Sequence, residues 1–346
     1  MLLKELTQIN GVSGCEGEVR DFIMEKIALY ADDITVDTIG NLIAFKKGTE
    51  NSDKKIGLFA HMDEVGFIVS KIDDDGYIRF KSVGGIDERI LLSKRVSVGK
   101  NKIPGVIGIK AVHLRSAEER KTVIKQKDMY IDIGAKDKES AEKIVSLGDY
   151  IAFDSDYTEL GGGKVKAKAI DDRAGCDILI ECMKNDYKND MYFCFTVQEE
   201  TGLKGATVVA HRLGLDCAFV IESTTAADVP FLEEHEYSTS LGKGPVITAM
   251  DRGSISDKRL NSFIIDIAKE NNIKYQMKKS IAGGNDARVI QTMGGSCATA
   301  VISLPCRYIH SPVCVADMGD FNHMLSLAKL VAENSWRLGG NSKWNF

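Results

Sequence analysis

Several apolar runs in this chain of 346 residues end at a histidine or an acidic residue. For example, KKIGLFA precedes His61, and CAFVI precedes Glu222. In open α/β sheets, ligands gather in the crevice beyond the carboxyl ends of the strands, so side chains that follow different strands converge there. The runs therefore predict an α/β fold with one polar site at its strand ends. The residues in these positions are His61, Asp171, Glu199, Glu200, Glu222 and His310.

The residue types at these strand ends indicate a site for divalent metal ions. Carboxylate oxygens and imidazole nitrogens together are typical ligands of zinc and similar ions. In HMDE, Asp63 can accept a ring proton of His61, which fixes the tautomer of a ligating imidazole. In AIDDRAG, Asp171 can bridge two cations while Asp172 opens a helix. The alternatives are a structural histidine and an aspartate pair that only caps the helix.

The adjacent residues Glu199 and Glu200 follow the apolar run MYFCFTV. Neighbouring carboxylates repel each other unless cations or protons neutralise them, and adjacent side chains diverge, so we expect different roles for the two. One carboxylate can bind a metal ion, while the other takes a proton from the attacking water as general base. A solvated pair in a loop is the alternative interpretation.

The sequence pattern changes twice along the chain. Helical and strand-like patterns alternate up to about Val65, short alternating runs separated by Gly and Asp follow, and the α/β pattern resumes after about Lys166. A chain of this length also favours about two domains. We therefore predict an α/β domain formed by residues 1–65 and 166–346, interrupted by a small β-rich insert domain at residues 66–165.

The composition and the absence of some motifs argue against several classes of protein. The formal net charge of −5 disfavours a general nucleic-acid binder. No stretch reaches the roughly 18 apolar residues of a membrane span, and the N-terminus lacks a signal-peptide pattern, so we expect a soluble, cytoplasmic protein without a membrane partner. Cys-x-x-Cys and Gly-x-Ser-x-Gly are both absent, which disfavours thiol and serine catalysis.

Six segments of the chain resemble the successive motifs of the M42 family of metallo-aminopeptidases. They are HMDEVGF, AIDDRAG, VQEETGLKGA, IESTTAADVP, GGNDA and RYIHSP. Members of this family have been described as glutamyl or deblocking aminopeptidases, and some as endoglucanases. The resemblance implies a peptidase-type α/β/α catalytic domain with a mixed sheet. It also implies that the insert serves in dimerisation, and that dimers can assemble into a tetrahedral dodecamer.

The resemblance assigns a role to each residue of the predicted site. Asp171 bridges two metal ions, and His61 and Glu222 are terminal ligands of different ions. Glu199 is the general base, and Asp63 supports His61. The cofactors implied are two divalent ions per subunit, zinc or cobalt, with manganese also accepted. The metal ligands implied are His61, Asp171, Glu200, Glu222 and His310.

Two positions depart from the usual pattern of the family. Glu222 stands where Asp is more frequent, so its carboxylate has a stem that is one methylene longer, and Asn285 stands where Thr is usual. Neither change removes a class of metal ligand. The activity that the resemblance implies is the removal of N-terminal residues from peptides with a free N-terminus.

Other functions fit part of the sequence. An M20-type metal-dependent carboxypeptidase or deacylase would use similar ligands, a glycoside hydrolase would use two carboxylates without a metal, and a scaffold protein would use neither. The side-chain preference of an aminopeptidase stays open at this point. Arg252 and Lys243 lie in Gly-containing stretches and would favour acidic residues if they line the pocket, but both also fit surface ion pairs.

Overall fold

A mixed sheet of 11 strands and a closed barrel of six strands make up the β-structure of the computed structural model of the chain, which describes residues 1–50 and 54–338. Strands β4 to β9 form the barrel, and the others belong to the sheet. The strands are β1 (Asp33–Val36), β2 (Leu42–Lys46), β3 (Lys55–His61), β4 (Gly66–Ile72), β5 (Ile78–Val83), β6 (Arg95–Val98), β7 (Ile103–Ile109), β8 (Met129–Asp132), β9 (Tyr150–Phe153), β10 (Thr158–Leu160), β11 (Lys164–Ala167), β12 (Asp190–Thr196), β13 (Cys217–Thr225), β14 (Val246–Thr248), β15 (Gln276–Met277), β16 (Ala298–Arg307) and β17 (Cys314–Asp317).

Helices cover both faces of the sheet. Ala174, Leu260 and Phe321, from three different helices, pack in one hydrophobic cluster, whereas Ala206 and Ala287 pack in another on the opposite face. The result is a three-layered α/β/α sandwich. The helices are α1 (Leu3–Gln8), α2 (Gly17–Ile27), α3 (Lys138–Glu142), α4 (Ile170–Cys182), α5 (Lys204–Leu213), α6 (Lys258–Glu270), α7 (Ala287–Ile290) and α8 (Met318–Glu333).

The centre of the sheet consists of four parallel strands in the order β12, β3, β13, β16. Alternate side chains of a strand point to opposite faces, and here both faces are covered. In β3, for example, Leu58 and Ala60 pack in one hydrophobic cluster and Phe59 packs in the other. This double burial explains the nearly continuous apolar runs that precede the polar residues at the strand ends. Antiparallel strands complete the sheet on both sides.

The barrel is inserted between β3 and β10 and has its own hydrophobic core. Its strands pair in the order β4, β5, β8, β7, β6, β9, and β9 closes the barrel by pairing with β4. Phe67 is at the centre of this core and contacts the rings of Phe80 and Phe153 edge-on, at centroid distances of 5.0 and 5.2 Å. The barrel core is separate from the clusters that flank the sheet.

The predicted fold class, an α/β/α unit with a mixed sheet and a β-rich insert, is confirmed. Strand β10 falls within the predicted insert range of 66–165 but pairs with β11 in the main sheet. The limits of the two domains stay a prediction, and the limit at residue 346 lies outside the described residues. Within residues 1–50 and 54–338, none of the helices combines the length and apolarity that a membrane span requires.

The N-terminal segment packs against α4 through a buried carboxyl group. Oδ2 of Asp177 accepts the backbone N–H of Leu2 at 2.9 Å, whereas Oδ1 has no hydrogen-bond partner among the described residues. Burial raises the pKa of Asp177 to about 6, although the hydrogen bond from Leu2 and the chain's amino terminus oppose the shift. In the folded protein this side chain therefore keeps its proton up to a higher pH than an exposed aspartate does.

This burial predicts a specific pH dependence of stability. The pKa of Asp177 in the folded protein lies above the ordinary value of an aspartate. Burial of Asp177 therefore does not destabilise the fold below about pH 4, whereas the free-energy cost of burying its ionised form grows as the pH rises towards 6. The variant Asp177→Asn lacks this titration. Relative to the wild type, its free energy of unfolding should therefore rise by about 3 kcal/mol between pH 4 and pH 7, as measured by denaturant unfolding.

The matched control is Asp266→Asn, which removes a charge from the exposed face of α6. The growth of the difference with pH should be larger for Asp177→Asn than for this exposed control, because only Asp177 is buried. A constant difference for Asp177→Asn would contradict the prediction.

Candidate metal centre

The predicted site residues come together at the carboxyl ends of the central parallel strands. His61 is the last residue of β3, and Glu222 lies in the second half of β13. Glu199 and Glu200 follow β12, and His310 follows β16. Asp171 joins them from the start of α4. The strand-end positions thus produce the convergence that the sequence pattern predicts.

Asp171 lies between two histidines. Nε2 of His61 is 3.2 Å from Oδ1 of Asp171 and 3.4 Å from Oε1 of Glu222. On the other side, Nε2 of His310 is 3.4 Å from Oδ2 of Asp171 and 3.2 Å from Oε1 of Glu200. In each of these two groups of three residues, the potential ligand atoms lie within 4.8 Å of one another. The geometry therefore contains two sets of three ligands that share one carboxylate.

The electrostatics of this cluster also fit divalent cations. Burial raises the pKa of Glu222 to about 8, although the neighbouring His61 opposes the shift. Burial acts against protonation of His310, but Asp171 and Glu200 override it and raise the pKa of that imidazole to about 12. Carboxylates outnumber imidazoles here, and uncompensated buried charge is costly. Divalent cations would remove this cost, and the oxygen and nitrogen donors suit zinc-like ions.

Glu199 lies beside the two ligand sets. Its carboxylate belongs to a third group of potential ligands, with His61 and Glu200. Burial holds the pKa of Glu199 well above its ordinary value; the charge of His61 opposes this effect, and the carboxylates of Glu222 and Glu200 add to it. A carboxylate with a raised pKa is a stronger base than a solvated one.

The buried residue Asp63 contacts several parts of the site. The nearest polar atom to Nδ1 of His61 is the backbone carbonyl oxygen of Asp63, at 3.1 Å, and Oδ1 of the same residue lies at 3.4 Å. The buried carboxylate also accepts the backbone N–H groups of Glu199 and Glu200, at 2.9 and 3.1 Å. The hydroxyl of Ser13 donates a further hydrogen bond of 2.5 Å. Asp63 therefore orients the glutamate pair as well as His61.

The start of α4 explains the motif AIDDRAG. Oδ1 of Asp172 accepts the N–H of Gly175 at 3.0 Å, as a capping side chain does, and Oδ2 accepts the N–H of His61 at 3.3 Å. A Cβ atom on Gly175 would lie 2.3 Å from the Asp172 carboxylate and 2.7 Å from the carbonyl oxygen of Ile221. Asp171 and Asp172 have non-helical backbone angles, so the regular part of α4 begins after them. Asp172 thus caps this regular part, while Asp171 faces the candidate metal centre.

The barrel also reaches the site. Nδ1 of His310 lies 2.9 Å from the backbone carbonyl oxygen of Gly85, which follows β5. Such a partner on the second ring nitrogen fixes the orientation of a ligating imidazole and its tautomer. The insert therefore helps to position a residue of the candidate metal centre.

The site opens into a cavity of about 900 Å³. Arg252 and Asn285 line this cavity, whereas Lys243 is not among the lining residues. Sequence reasoning missed two further cations in the lining. Lys278 lies in a segment without a recognisable motif, whereas Arg288 directly follows the motif GGNDA, which by itself does not indicate a cation in the cavity. It also missed Ser13, which carries no periodic or motif signal. The remaining histidines are not in the lining; these are His113, His211, His235 and His323.

Comparisons with known proteins show which family the chain resembles. The family model described as M42 glutamyl aminopeptidase matches residues 40–327, and a second model, AMPT, matches residues 1–23. A candidate aminopeptidase of Acetivibrio thermocellus is 42% identical over 94% of this chain and 96% of its own length. The lysyl aminopeptidase of Pyrococcus furiosus is 33% identical over 96% of both chains.

A solved structure shares the whole fold. The TET1 peptidase of Pyrococcus horikoshii, described as able to assemble into a tetrahedron or a large octahedral shell, has a TM-score of 0.84 and 38% sequence identity, over 95% of this chain and 98% of that one. The family match covers most of the chain, and all six sequence motifs lie within it. The chain therefore belongs to the M42 peptidase family.

Proposed function

We propose that this protein is a metal-dependent aminopeptidase that removes N-terminal residues from short peptides. The observation that supports this most strongly is the pair of ligand sets that share Asp171 and open into one cavity. The carboxylate-rich end of the cavity suits the free ammonium group of a peptide N-terminus. Membership of the M42 family supports the same reaction.

Two divalent ions would fit the two sets of ligands that share Asp171. One would be held by His61, Asp171 and Glu222, and the other by Asp171 together with Glu200 and His310. Zinc or cobalt suits these donors, and manganese is also compatible with them. When bound, such ions polarise the scissile carbonyl group and lower the pKa of water.

In the proposed mechanism, Glu199 moves the protons. Its carboxylate takes a proton from the attacking water and then gives it to the nitrogen of the leaving peptide. The hydrogen bond from its backbone N–H to Asp63 keeps the residue at the edge of the ligand cluster. Asp63 is a positioning residue in this scheme, because it contacts the groups around the reaction and not the substrate.

The barrel insert is the proposed dimerisation domain, with residues 1–65 and 166–346 as the catalytic domain. The barrel and its loops expose several large apolar side chains to solvent, including Val106, Leu114 and Leu147. Apolar surface of this kind is a feature of protein interfaces. The TET1 peptidase, with which this chain shares its fold, forms large shells, which supports assembly beyond a dimer.

The first test of the function is hydrolysis of paired anilide substrates with a free or a blocked amino group. The protein would be treated with a chelator and then supplied with zinc, cobalt or manganese. We expect cleavage of the free-amine substrates alone, and only after a metal is restored, because the ions act on the carbonyl group and on water. Cleavage of the blocked substrates would indicate an M20-type enzyme instead. Hydrolysis of a glucan in chelator would indicate a glycosidase.

The variant Glu199→Gln tests the general base. It keeps the shape of the side chain but cannot accept the proton, so kcat should fall by about a hundredfold or more. Metal ions should still raise the Tm of this variant, because the two ligand sets around Asp171 are intact. Asp171→Asn is the contrasting variant, and it should lose most of the Tm increase. Wild-type turnover in Glu199→Gln would refute the assignment.

Light scattering tests the proposed assembly. Burial of the exposed apolar side chains of the insert favours association, so we expect a molecular mass of at least twice that of one chain across micromolar concentrations. A monomer throughout this range would rule out a dimerisation role for the insert.

A further inference from the structure

Strand β13 continues beyond the end of its neighbour β3. The pairing with β3 stops at Val220, which lies opposite Phe59, whereas the pairing with β16 on the other side continues to Thr225. Strand β3 itself ends at His61. In the described part of the chain, one edge of β13 therefore has no strand beside it over its last residues.

The backbone groups at this free edge belong to Ser223 and Thr225. In a parallel ladder, successive residues of a strand direct their N–H and C=O groups alternately to the two sides. The N–H of Ala226 donates to the carbonyl oxygen of Cys306 in β16, at 2.9 Å. The backbone groups of Thr225 and Ser223 therefore point to the opposite side, away from β16.

Two of these backbone groups have partners within the protein. The N–H of Ser223 donates to Oε1 of Glu222 at 2.9 Å, and the carbonyl oxygen of Thr225 accepts the hydroxyl of Thr239 at 3.0 Å. Among the residues that the structure describes, none pairs with the carbonyl oxygen of Ser223 or with the N–H of Thr225. Both residues line the cavity. The free edge thus offers the cavity one acceptor and one donor.

The free edge lies directly beside the candidate metal centre. Ser223 follows Glu222 in the chain, and Oε1 of Glu222 lies 3.4 Å from Nε2 of His61. A peptide whose amino group lies at the carboxylate-rich end of the cavity therefore has its next residues beside β13. An extended peptide that adds to a free strand edge is bound through main-chain hydrogen bonds.

We infer that the free edge of β13, at Ser223 and Thr225, binds the main chain of the peptide substrate as an additional strand. This inference rests on the proposed aminopeptidase function and names its substrate class. The carbonyl oxygen of Ser223 accepts an N–H of the substrate, and the N–H of Thr225 donates to a carbonyl oxygen of the substrate. Because only backbone groups take part, the edge selects extended peptides that continue beyond the cleaved bond, and not a particular side chain.

The first experiment changes the donor on the protein. Thr225→Pro removes the N–H of this residue but keeps its carbonyl group, and the pairing with β16 stays intact because this N–H points away from β16. The matched variant Thr225→Ala loses the same exposed side chain and keeps the N–H. The zinc-loaded wild type and both variants would be assayed with the tetrapeptide Leu-Ala-Ala-Ala and with leucyl anilide, which has no main chain beyond the scissile bond.

For the tetrapeptide, kcat/KM of Thr225→Pro should lie about two- to tenfold below that of Thr225→Ala, which is the net effect of one lost hydrogen bond. For leucyl anilide, the two variants should give the same kcat/KM, because this substrate has no carbonyl group that could reach the free edge. A purely structural effect of the proline would lower both substrates alike.

The second experiment changes the donor on the substrate and leaves the protein intact, so it decides even if Thr225→Pro does not fold. In two depsipeptides of the same sequence, an ester oxygen replaces the N–H of the third or of the fourth residue. The carbonyl oxygen of Ser223 then loses its donor. One of the two depsipeptides should therefore be cleaved about two- to tenfold less efficiently than the tetrapeptide.

Two outcomes overturn the inference while the aminopeptidase function stands: equal kcat/KM of Thr225→Pro and Thr225→Ala for the tetrapeptide, or equal cleavage of the tetrapeptide and both depsipeptides. Failure to cleave any free-amine substrate with any metal would instead refute the proposed function. Calorimetry with the zinc-loaded wild type would then decide on the free edge. Weaker binding of one depsipeptide than of the tetrapeptide would support it, and equal binding or no binding would refute it.

Discussion

The central constraint of this molecule is the burial of several carboxylates around Asp171, with only two imidazoles between them. Such a cluster is costly for a folded chain unless cations or protons neutralise it. Both oxygens of Asp171 face a histidine, so the two halves of the cluster cannot be arranged independently. The parallel strands, the start of α4 and the network around Asp63 all hold side chains in this arrangement. The fold therefore holds together a cluster of buried acidic groups whose cost is removed when cations or protons neutralise them.

The positions of the candidate metal ligands at the strand ends were predictable from the sequence. Strands buried on both faces produce continuous apolar runs, and their last residues, such as His61, mark the site directly. The strand order of the sheet was not predictable, because pairing between parallel strands depends on contacts between distant segments. The short helix α1 was also missed, because it is too brief for a clear periodic pattern.

Site residues that lie in loops were the hardest to predict from the sequence. Ser13 reaches Asp63 only because the N-terminal segment lies beside the end of β3, and nothing in GVSGC signals this contact. Lys278 and Arg288 enter the cavity from segments that are distant in sequence from the metal ligands. Of the two cations that the sequence analysis considered, Arg252 lines the cavity and Lys243 does not. Local sequence alone could not separate these two, since both lie in Gly-containing stretches.

The contact between His310 and Gly85 links the two cores of the molecule. The carbonyl group comes from the barrel insert, whereas the imidazole belongs to the sheet domain. A change in the orientation of the barrel relative to the sheet would turn the ring that this carbonyl holds. Thermodynamic linkage makes such coupling reciprocal. If the proposed association through the barrel shifts this orientation, association and occupancy of the ligand cluster become coupled equilibria, and the affinity for divalent ions then depends on the concentration of the protein itself.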